Sequence, residues 1–411
     1  MGTPARLTLR RGAARQPLLG QIPRLLMPPV IGMGLLGGCA PEPRKMVERT
    51  FTSRSTVDAA QLDAAARDAV VELNLPGLAI AIIDNGEPIW GGGYGIANVV
   101  TEAPVDLHTP FMLASVSKTV VAAALAQAHA EGFLDLDGTV RVQTGLPLDN
   151  PQADGAITLR HLATHTAGID DNWAVLADNY VLGDSPIALG ELIEGYFLPG
   201  GAWYDPAANF LPLSPGTSRE YSNMGTALAA WALEPTTGLS LDEWCEQRLF
   251  PDLGMLDAGW HLADHDVQGL AMPHGDNGNG GFFPYGHYGY PDWPDGQLRA
   301  SVTDMARSLA AVARGARGLD EGARQELLTV PFPEASTRQG FFWYLRERDG
   351  RQVWTHSGED AGVATELLFD PETGDGVVIL TNVDWTGERK AGLRALEALA
   401  MDLVSDTPPP P

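Results

Sequence analysis

Apolar residues recur along this chain with two different periods. Between residues 56 and 74, Val57, Leu62, Ala66, Val70 and Leu73 return at close to helical spacing, which predicts a helix. The next segment, LAIAIIDNGEPIWGGGYGIAN, is two apolar runs joined through Asp84-Asn85-Gly86, the pattern of a hairpin. From about residue 110 to about 290 the pattern is one of helices and long loops. Within it, Ser185-Pro186 predicts an N-cap followed by proline at the first helical position, and Ser240 with Glu243 predicts a capping box. The run from Val120 to Ala130 is nearly all apolar, as in a helix buried on every side. After residue 300 the order reverses. A helix headed by Ser301 and Asp304 precedes four short runs, GFFWYLRE, RQVWTHSG, VATELLFD and GVVILTN, and a last helix from about 385 to 404. The four runs are rich in β-branched and aromatic residues and are parted by turn residues, so they predict an antiparallel meander. Strands near both ends with helices between them predict an α+β protein. Its one antiparallel sheet, flanked by helices, is completed by the two ends, and a mostly helical domain is inserted in the middle.

Composition adds boundaries to this pattern. With 411 residues, 44% of them hydrophobic, the chain can bury a large core. A formal charge of -25 argues against a nucleic-acid partner, because duplex binding needs clustered Lys and Arg to neutralise phosphates. Arg6, Arg10, Arg11, Arg15 and Arg24 precede the apolar segment LLMPPVIGMGLLGGCA, which resembles a secretory signal. Its end, Leu36-Gly37-Gly38-Cys39, resembles a bacterial lipobox, although Pro28 and Pro29 interrupt the apolar run. The expectation is an exported, periplasmic or outer-envelope protein that touches the membrane through lipid on Cys39. Cys245 is then the one remaining cysteine, so no intrachain disulfide can form. The expected division is a signal and lipobox segment at 1–39, a linker at 40–55, the folded unit at 56–405 and a disordered tail at 406–411. Within the folded unit the sheet part covers about 56–108 and 295–405, and the helical insert about 109–294.

Three short stretches could carry chemistry. Lysine occurs at three positions only, 45, 118 and 390, and Lys118 stands three residues after Ser115 at the head of the apolar helix. Positions i and i+3 share a helix face, so the amine can reach the hydroxyl. A serine becomes nucleophilic when a neighbour takes its proton, and a desolvated amine with a lowered pKa is one such neighbour. The helix N-terminus adds N–H groups where an oxyanion would form. The second stretch is Tyr221-Ser222-Asn223: a phenol there could move protons between nucleophile and leaving group, and Asn223 could hold Lys118 or an amide substrate. The third is His356-Ser357-Gly358 at a strand end, where glycine permits close approach of another backbone and the N–H of Glu359 could be a second oxyanion donor. Each stretch alone is more often an ordinary cap or turn.

Together, in the order S-x-x-K, Y-S-N, H-S-G, they resemble the serine β-lactamase and penicillin-recognising family, on its class C β-lactamase-like branch with D-Ala-D-Ala carboxypeptidases, D-aminopeptidases and esterases. The segments PFMLASVSKTVVA, ITLRHLATHTAGI, SPGTSREYSNMGTALAAWALEPTTGLSLDEW and LLFDPETGDGVVILTN extend the likeness over most of residues 75 to 400. The resemblance implies a β-lactamase/transpeptidase-like fold with the site between sheet and helices, and a serine hydrolase that forms an acyl-enzyme on Ser115. It further implies Lys118 as activating neighbour, Tyr221 as proton shuttle, Asn223 as positioning group, and His356, Ser357, Gly358 and Glu359 beside the substrate. Whether Lys118 or Tyr221 takes the first proton stays open. No cofactor and no metal are implied, and the partner is a small-molecule or peptide substrate. The third motif starts with histidine where true β-lactamases have lysine, which removes a permanent positive charge, and Glu359 and Asp360 add negative charge. This favours esters, D-amino-acid peptides or related amides. The alternatives are a true β-lactamase or D-Ala-D-Ala carboxypeptidase, and a non-catalytic module that binds or senses peptidoglycan.

Other signals weigh less. His161 and His165 have i, i+4 spacing with Leu162 where a zinc protease would have Glu, and His261 with His265 lacks a third ligand. The aromatic stretch PHGDNGNGGFFPYGHYGYPDWPDG could form a wall or lid of the site.

Overall fold

The computed structural model describes residues 58–315 and 318–405. The expected signal and lipobox segment with Cys39, the linker and the 406–411 tail lie outside these residues. The main sheet has seven antiparallel strands: β1 (Gly77–Asp84), β2 (Glu87–Asn98), β3 (Ala103–Pro104), β4 (Tyr344–Arg348), β5 (Arg351–Asp360), β6 (Val363–Phe369) and β7 (Gly376–Thr381). Their spatial order is β4-β5-β6-β7-β1-β2-β3, so the late strands join the early ones where β7 pairs with β1. The hairpin at Asn85-Gly86 and the meander both form as their patterns predict. In the meander the GFFWYLRE run enters the sheet only at Tyr344, and Phe341, Phe342 and Trp343 are buried ahead of the strand.

The sheet is covered on both faces, which explains why β1 reads as a nearly continuous apolar run. Leu78, Ile80 and Ile82 face helices α1 (Ala59–Glu72) and α5 (Gly387–Ser405), whose Leu62, Ala66, Leu393 and Leu396 share that core. Ala79, Ala81 and Ile83 face the larger core beneath α4 (Val302–Arg314). Burying each Ile or Leu side chain contributes about 1.5–3 kcal/mol. Helix α4 starts as predicted, with Ser301 Oγ accepting the Asp304 N–H at 3.1 Å.

Between the early and late strands in sequence come α2 (Ser117–Ala130) and α3 (Asn223–Trp231). Every residue of α2 from Ser117 to Ala128 is buried, as the unbroken apolar run predicts. The capping box at Ser240 and Glu243 also forms, with the Ser240 N–H donating to Glu243 at 3.0 Å. The helix start expected at Ser185 is displaced: Leu189–Phe197 is helical with Ala188 as N-cap, while Ser185 Oγ accepts the Ile187 N–H in the turn before it. That local bond satisfies Ser185 outside the helix, a common competition for short polar side chains. The aromatic stretch divides. Its first part is a hairpin, His274–Asp276 with Phe282–Pro284, and its second part brings the Asp295 carbonyl to Lys118.

Candidate active site

Ser115 lies in a single 3-10 turn, Ala114–Val116, that leads into α2. Ala114 has φ +46°, a left-handed conformation that costs a non-glycine residue energy and persists where the surroundings impose it. They do so here: Leu113 is held by the Leu298 carbonyl on one side, and its own carbonyl accepts the Thr365 hydroxyl at 2.6 Å on the other. The turn therefore presents Ser115 at the mouth of α2 while Lys118 points inward.

Lys118 is fully buried, and its ammonium has three acceptors, Ser115 Oγ at 3.1 Å, Asn223 Oδ1 at 2.8 Å and the Asp295 carbonyl at 2.7 Å. An ammonium has three donors, so all are used. The Asp295 carboxylate stands 3.7 Å away and the Tyr221 ring centroid 5.0 Å away. Burial pushes the pKa of Lys118 down, but Tyr221 first, then Asp295 and Asp171, outweigh it and hold the amine above the ordinary lysine value. This corrects the expectation of a lowered lysine pKa: desolvation is present, and Tyr221 together with the two carboxylates exceeds it.

The Tyr221 hydroxyl lies 2.8 Å from Ser115 Oγ. Its ring is fixed by His165, whose centroid is 4.4 Å away, and by the Arg219 guanidinium 5.8 Å above it. Next to it, Asp171 caps α3 from fifty residues upstream. Its carboxylate accepts from Ser222 Oγ at 3.0 Å and from the N–H groups of Asn223 at 2.9 Å and Met224 at 3.0 Å. Helix N-termini leave such donors orphaned, and a carboxylate is the best acceptor for them. Asp171 thereby fixes Asn223, which in turn fixes Lys118.

The third wall is the end of β5. Strand β4 pairs with β5 only from Arg351 to Thr355, so residues 356–360 carry one edge that no strand covers. A Cβ on Gly358 would stand 2.3 Å from the Leu113 carbonyl oxygen and 3.1 Å from Ser115 N, so only glycine lets the strand lie against the nucleophile's turn. His356 and Asp360 are half-buried beside it, and Ser357 and Glu359 are exposed on the opposite face. Desolvation by the packed groups around it, then the Lys118 charge, pushes His356 down to about 3, so the ring is neutral at physiological pH.

Ser115, Lys118, Tyr221, Asn223, His356 and Gly358 thus converge, whereas the side chains of Ser357 and Glu359, also expected beside the substrate, turn to the exposed face because side chains alternate along a strand. Three residues were missed. Asp171 and Asp295 reach Asn223 and Lys118 across 52 and 177 residues of sequence, and nothing local marks them. His165 carries a legible signal in its i, i+4 spacing with His161, the spacing of a zinc-binding pair. The two rings instead part, His161 stacking on Phe332 and His165 on Tyr221. Among the described residues, no cluster of three or more His, Cys, Asp or Glu could hold a metal ion.

This constellation sits on a fold and sequence already known. The β-lactamase family model matches residues 62–401, and the chain belongs to that family of serine hydrolases. A D-aminopeptidase of Gluconobacter oxydans is 28% identical over 330 residues, which are 79% of this chain and 59% of that protein. Esterase EstB of Burkholderia gladioli is 31% identical over 222 residues, 53% of this chain and 55% of the esterase. The chain thus spans little more than half the length of these relatives. Among solved structures, the D-amino acid amidase from Ochrobactrum anthropi SV3 superposes with a TM-score of 0.68 at 20% identity, covering 84% of this chain and 99% of the amidase, a likeness of fold.

Proposed function

We propose that the protein hydrolyses esters, D-amino-acid peptides or related amides through an acyl-enzyme on Ser115. The observation that carries this reading is the three-way contact of one hydroxyl with a phenol at 2.8 Å and a buried ammonium at 3.1 Å. Because Lys118 is held charged, Tyr221 is the group assigned to take the Ser115 proton, and it does so as a phenolate, having first released to solvent the proton it donates to Ser115 Oγ and being stabilised by the adjacent ammonium. Ser115 Oγ then bonds to the substrate carbonyl carbon. The carbonyl–heteroatom bond breaks, and the leaving group departs with the proton that Tyr221 returns. Water, losing a proton to Tyr221, bonds to the acyl carbon; the bond from that carbon to Ser115 Oγ then breaks as Tyr221 passes the proton to Oγ, which restores Ser115. The N–H groups of Ser115 and Glu359 are the proposed oxyanion donors, Gly358 having brought strand and turn together.

The neutral His356, with Glu359 and Asp360 beyond it, supports neutral or cationic substrates over the carboxylate of a β-lactam or a D-Ala terminus. The names of the relatives, a D-aminopeptidase and an esterase, support the same choice. Turnover of p-nitrophenyl esters and nitrocefin, measured side by side in wild type and Ser115→Ala, tests the reading. Ester turnover should fall on the order of 10⁴-fold or more in the variant. Absence of turnover in both proteins would leave the peptidoglycan-binding module.

Export and lipidation at Cys39 also belong to this proposal, supported by the basic leader and the Leu36-Gly37-Gly38-Cys39 sequence. Mass spectrometry of the membrane-associated protein should find a lipid-modified Cys39 at the mature N-terminus, and an unmodified Met1 start would sink it.

A further inference from the structure

One cation beside Tyr221 is fixed in place without an anionic partner. Arg219 stands two residues before Tyr221, half-buried, and its guanidinium lies 5.8 Å from the Tyr221 ring and 5.8 Å from the Tyr344 ring. Its Nε donates to Gln339 Oε1 at 2.6 Å. Gln339 is buried, and its orientation is set because its amide nitrogen donates to the Gly340 carbonyl at 3.0 Å and the Trp343 carbonyl at 3.1 Å. The guanidinium is thus held where β4 begins at Tyr344 and the uncovered length of β5 starts at His356. Among the described residues no carboxylate pairs with it, and its two terminal nitrogens have no acceptor.

The charges that face Tyr221 sort by sign. From α2, Lys118 puts its ammonium 5.0 Å from the ring centroid. His165 stacks on the ring at 4.4 Å, and His356 stands at the strand wall. Burial holds His165 well below the ordinary histidine value and takes His356 to about 3, so both rings are neutral. Asp295 is paired with Lys118 and Asp171 with the head of α3, while Glu220 is exposed and accepts from Ser218 Oγ at 3.4 Å. Two cations remain, Lys118 and Arg219. Burial lowers the Arg219 pKa, and attraction to Tyr221 is the largest influence against it; a guanidinium keeps its charge in such surroundings.

A cation over a tyrosine face is attracted by the neutral ring and far more by the full charge of a phenolate. The three donors of Lys118 are bound to Ser115, Asn223 and the Asp295 carbonyl, so the ammonium gives Tyr221 its charge and no hydrogen bond. We propose that Arg219 is a positioning residue for the proton transfer, the second cation that holds Tyr221 as the phenolate that takes the Ser115 proton. The proton that Tyr221 first loses goes to solvent, and no bond to Arg219 forms or breaks. This assignment rests on the acyl-enzyme reading above, and it gives a site whose His356 is neutral two positive charges beside the phenol.

The test follows the ζ-carbon NMR signal of Tyr221 against pH in isotopically labelled protein, the signal being the one that Tyr221→Phe removes. Arg219→Gln and Arg219→Met remove the charge, Arg219→Lys keeps it, and two neutral variants guard against one that misfolds. The midpoint of the signal should rise by about one pH unit in Arg219→Gln and Arg219→Met, and by less than about half as much in Arg219→Lys. On the same proteins, kcat/KM for p-nitrophenyl acetate near neutral pH should fall roughly tenfold in the neutral variants and no more than about threefold in Arg219→Lys. A midpoint that stays in place in both neutral variants overturns the assignment even where turnover falls, because lost packing would do that, and the acyl-enzyme stands. A rise in Arg219→Lys as large as in Arg219→Gln overturns it too, since charge would not be the cause. If Tyr221→Phe keeps full Ser115-dependent turnover, Tyr221 is not the proton carrier, and the role of Arg219 falls with it while the acyl-enzyme on Ser115 stands.

Discussion

The two walls of the cleft are built on opposite terms. The helical wall, Ser115 and Lys118 at α2 with Tyr221 and Asn223 at α3, has Lys118 and Asn223 buried and its network saturated: each donor of Lys118 and each backbone donor at the head of α3 that Asp171 reaches has an acceptor. The strand wall, residues 356–360, carries an uncovered edge and alternating exposed side chains. A preorganised network holds reacting groups without reorganisation, while an open edge can pair with substrates of different shape. The contrast predicts that catalysis is set by the helical wall and substrate choice by the strand wall.

Four changes would break or sharpen that division. Tyr221→Phe, on the helical wall, should lower kcat for a p-nitrophenyl ester by about 10²–10⁴-fold with KM little changed. A large rise in KM with kcat intact would move Tyr221 from chemistry to binding. Asp171→Ala comes next, orphaning three donors at the head of α3, and should cost about 1–3 kcal/mol in denaturant unfolding together with a fall in kcat. Unchanged stability would show that the network is less coupled than its distances imply.

Gly358→Ala joins the two walls and tests their separation, because its methyl would press on the Leu113 carbonyl and Thr365 Oγ1. Destabilisation of about 1–3 kcal/mol is expected, with acylation slowed as the strand withdraws from Ser115. The smallest effect belongs to His356→Lys. It should leave stability within about 0.5 kcal/mol and raise nitrocefin turnover several-fold, by roughly the worth of one partly exposed charge. Acid cannot substitute for the lysine. With its folded pKa lowered to about 3, His356 gains a proton only below that value, so nitrocefin turnover should not rise between pH 8 and pH 5. A rise over that window would place His356 in a more open setting.

Much of this was legible in sequence for a physical reason. Periodicity reports burial, and α2 and β1 are buried on all sides or both faces, so their apolar runs identify both elements and their depth. Ser115 and Lys118 share a helix turn, which fixes their distance whatever the rest of the chain does. Ser185 shows the reverse: its cap was read from local preference, and a competing turn took the hydroxyl.

Residues 115–118, 221–223 and 356–358 announced themselves because each depends on its neighbours in sequence, one turn or one strand end at a time. Tertiary structure alone decided what joins them. Asp171 and Asp295 act through long-range contacts that leave no periodic trace, and the balance around Lys118, which reversed its expected pKa shift, exists only when Tyr221 and two distant carboxylates are brought close to it. Local geometry is written in spacing, whereas electrostatic fields depend on distances that folding sets.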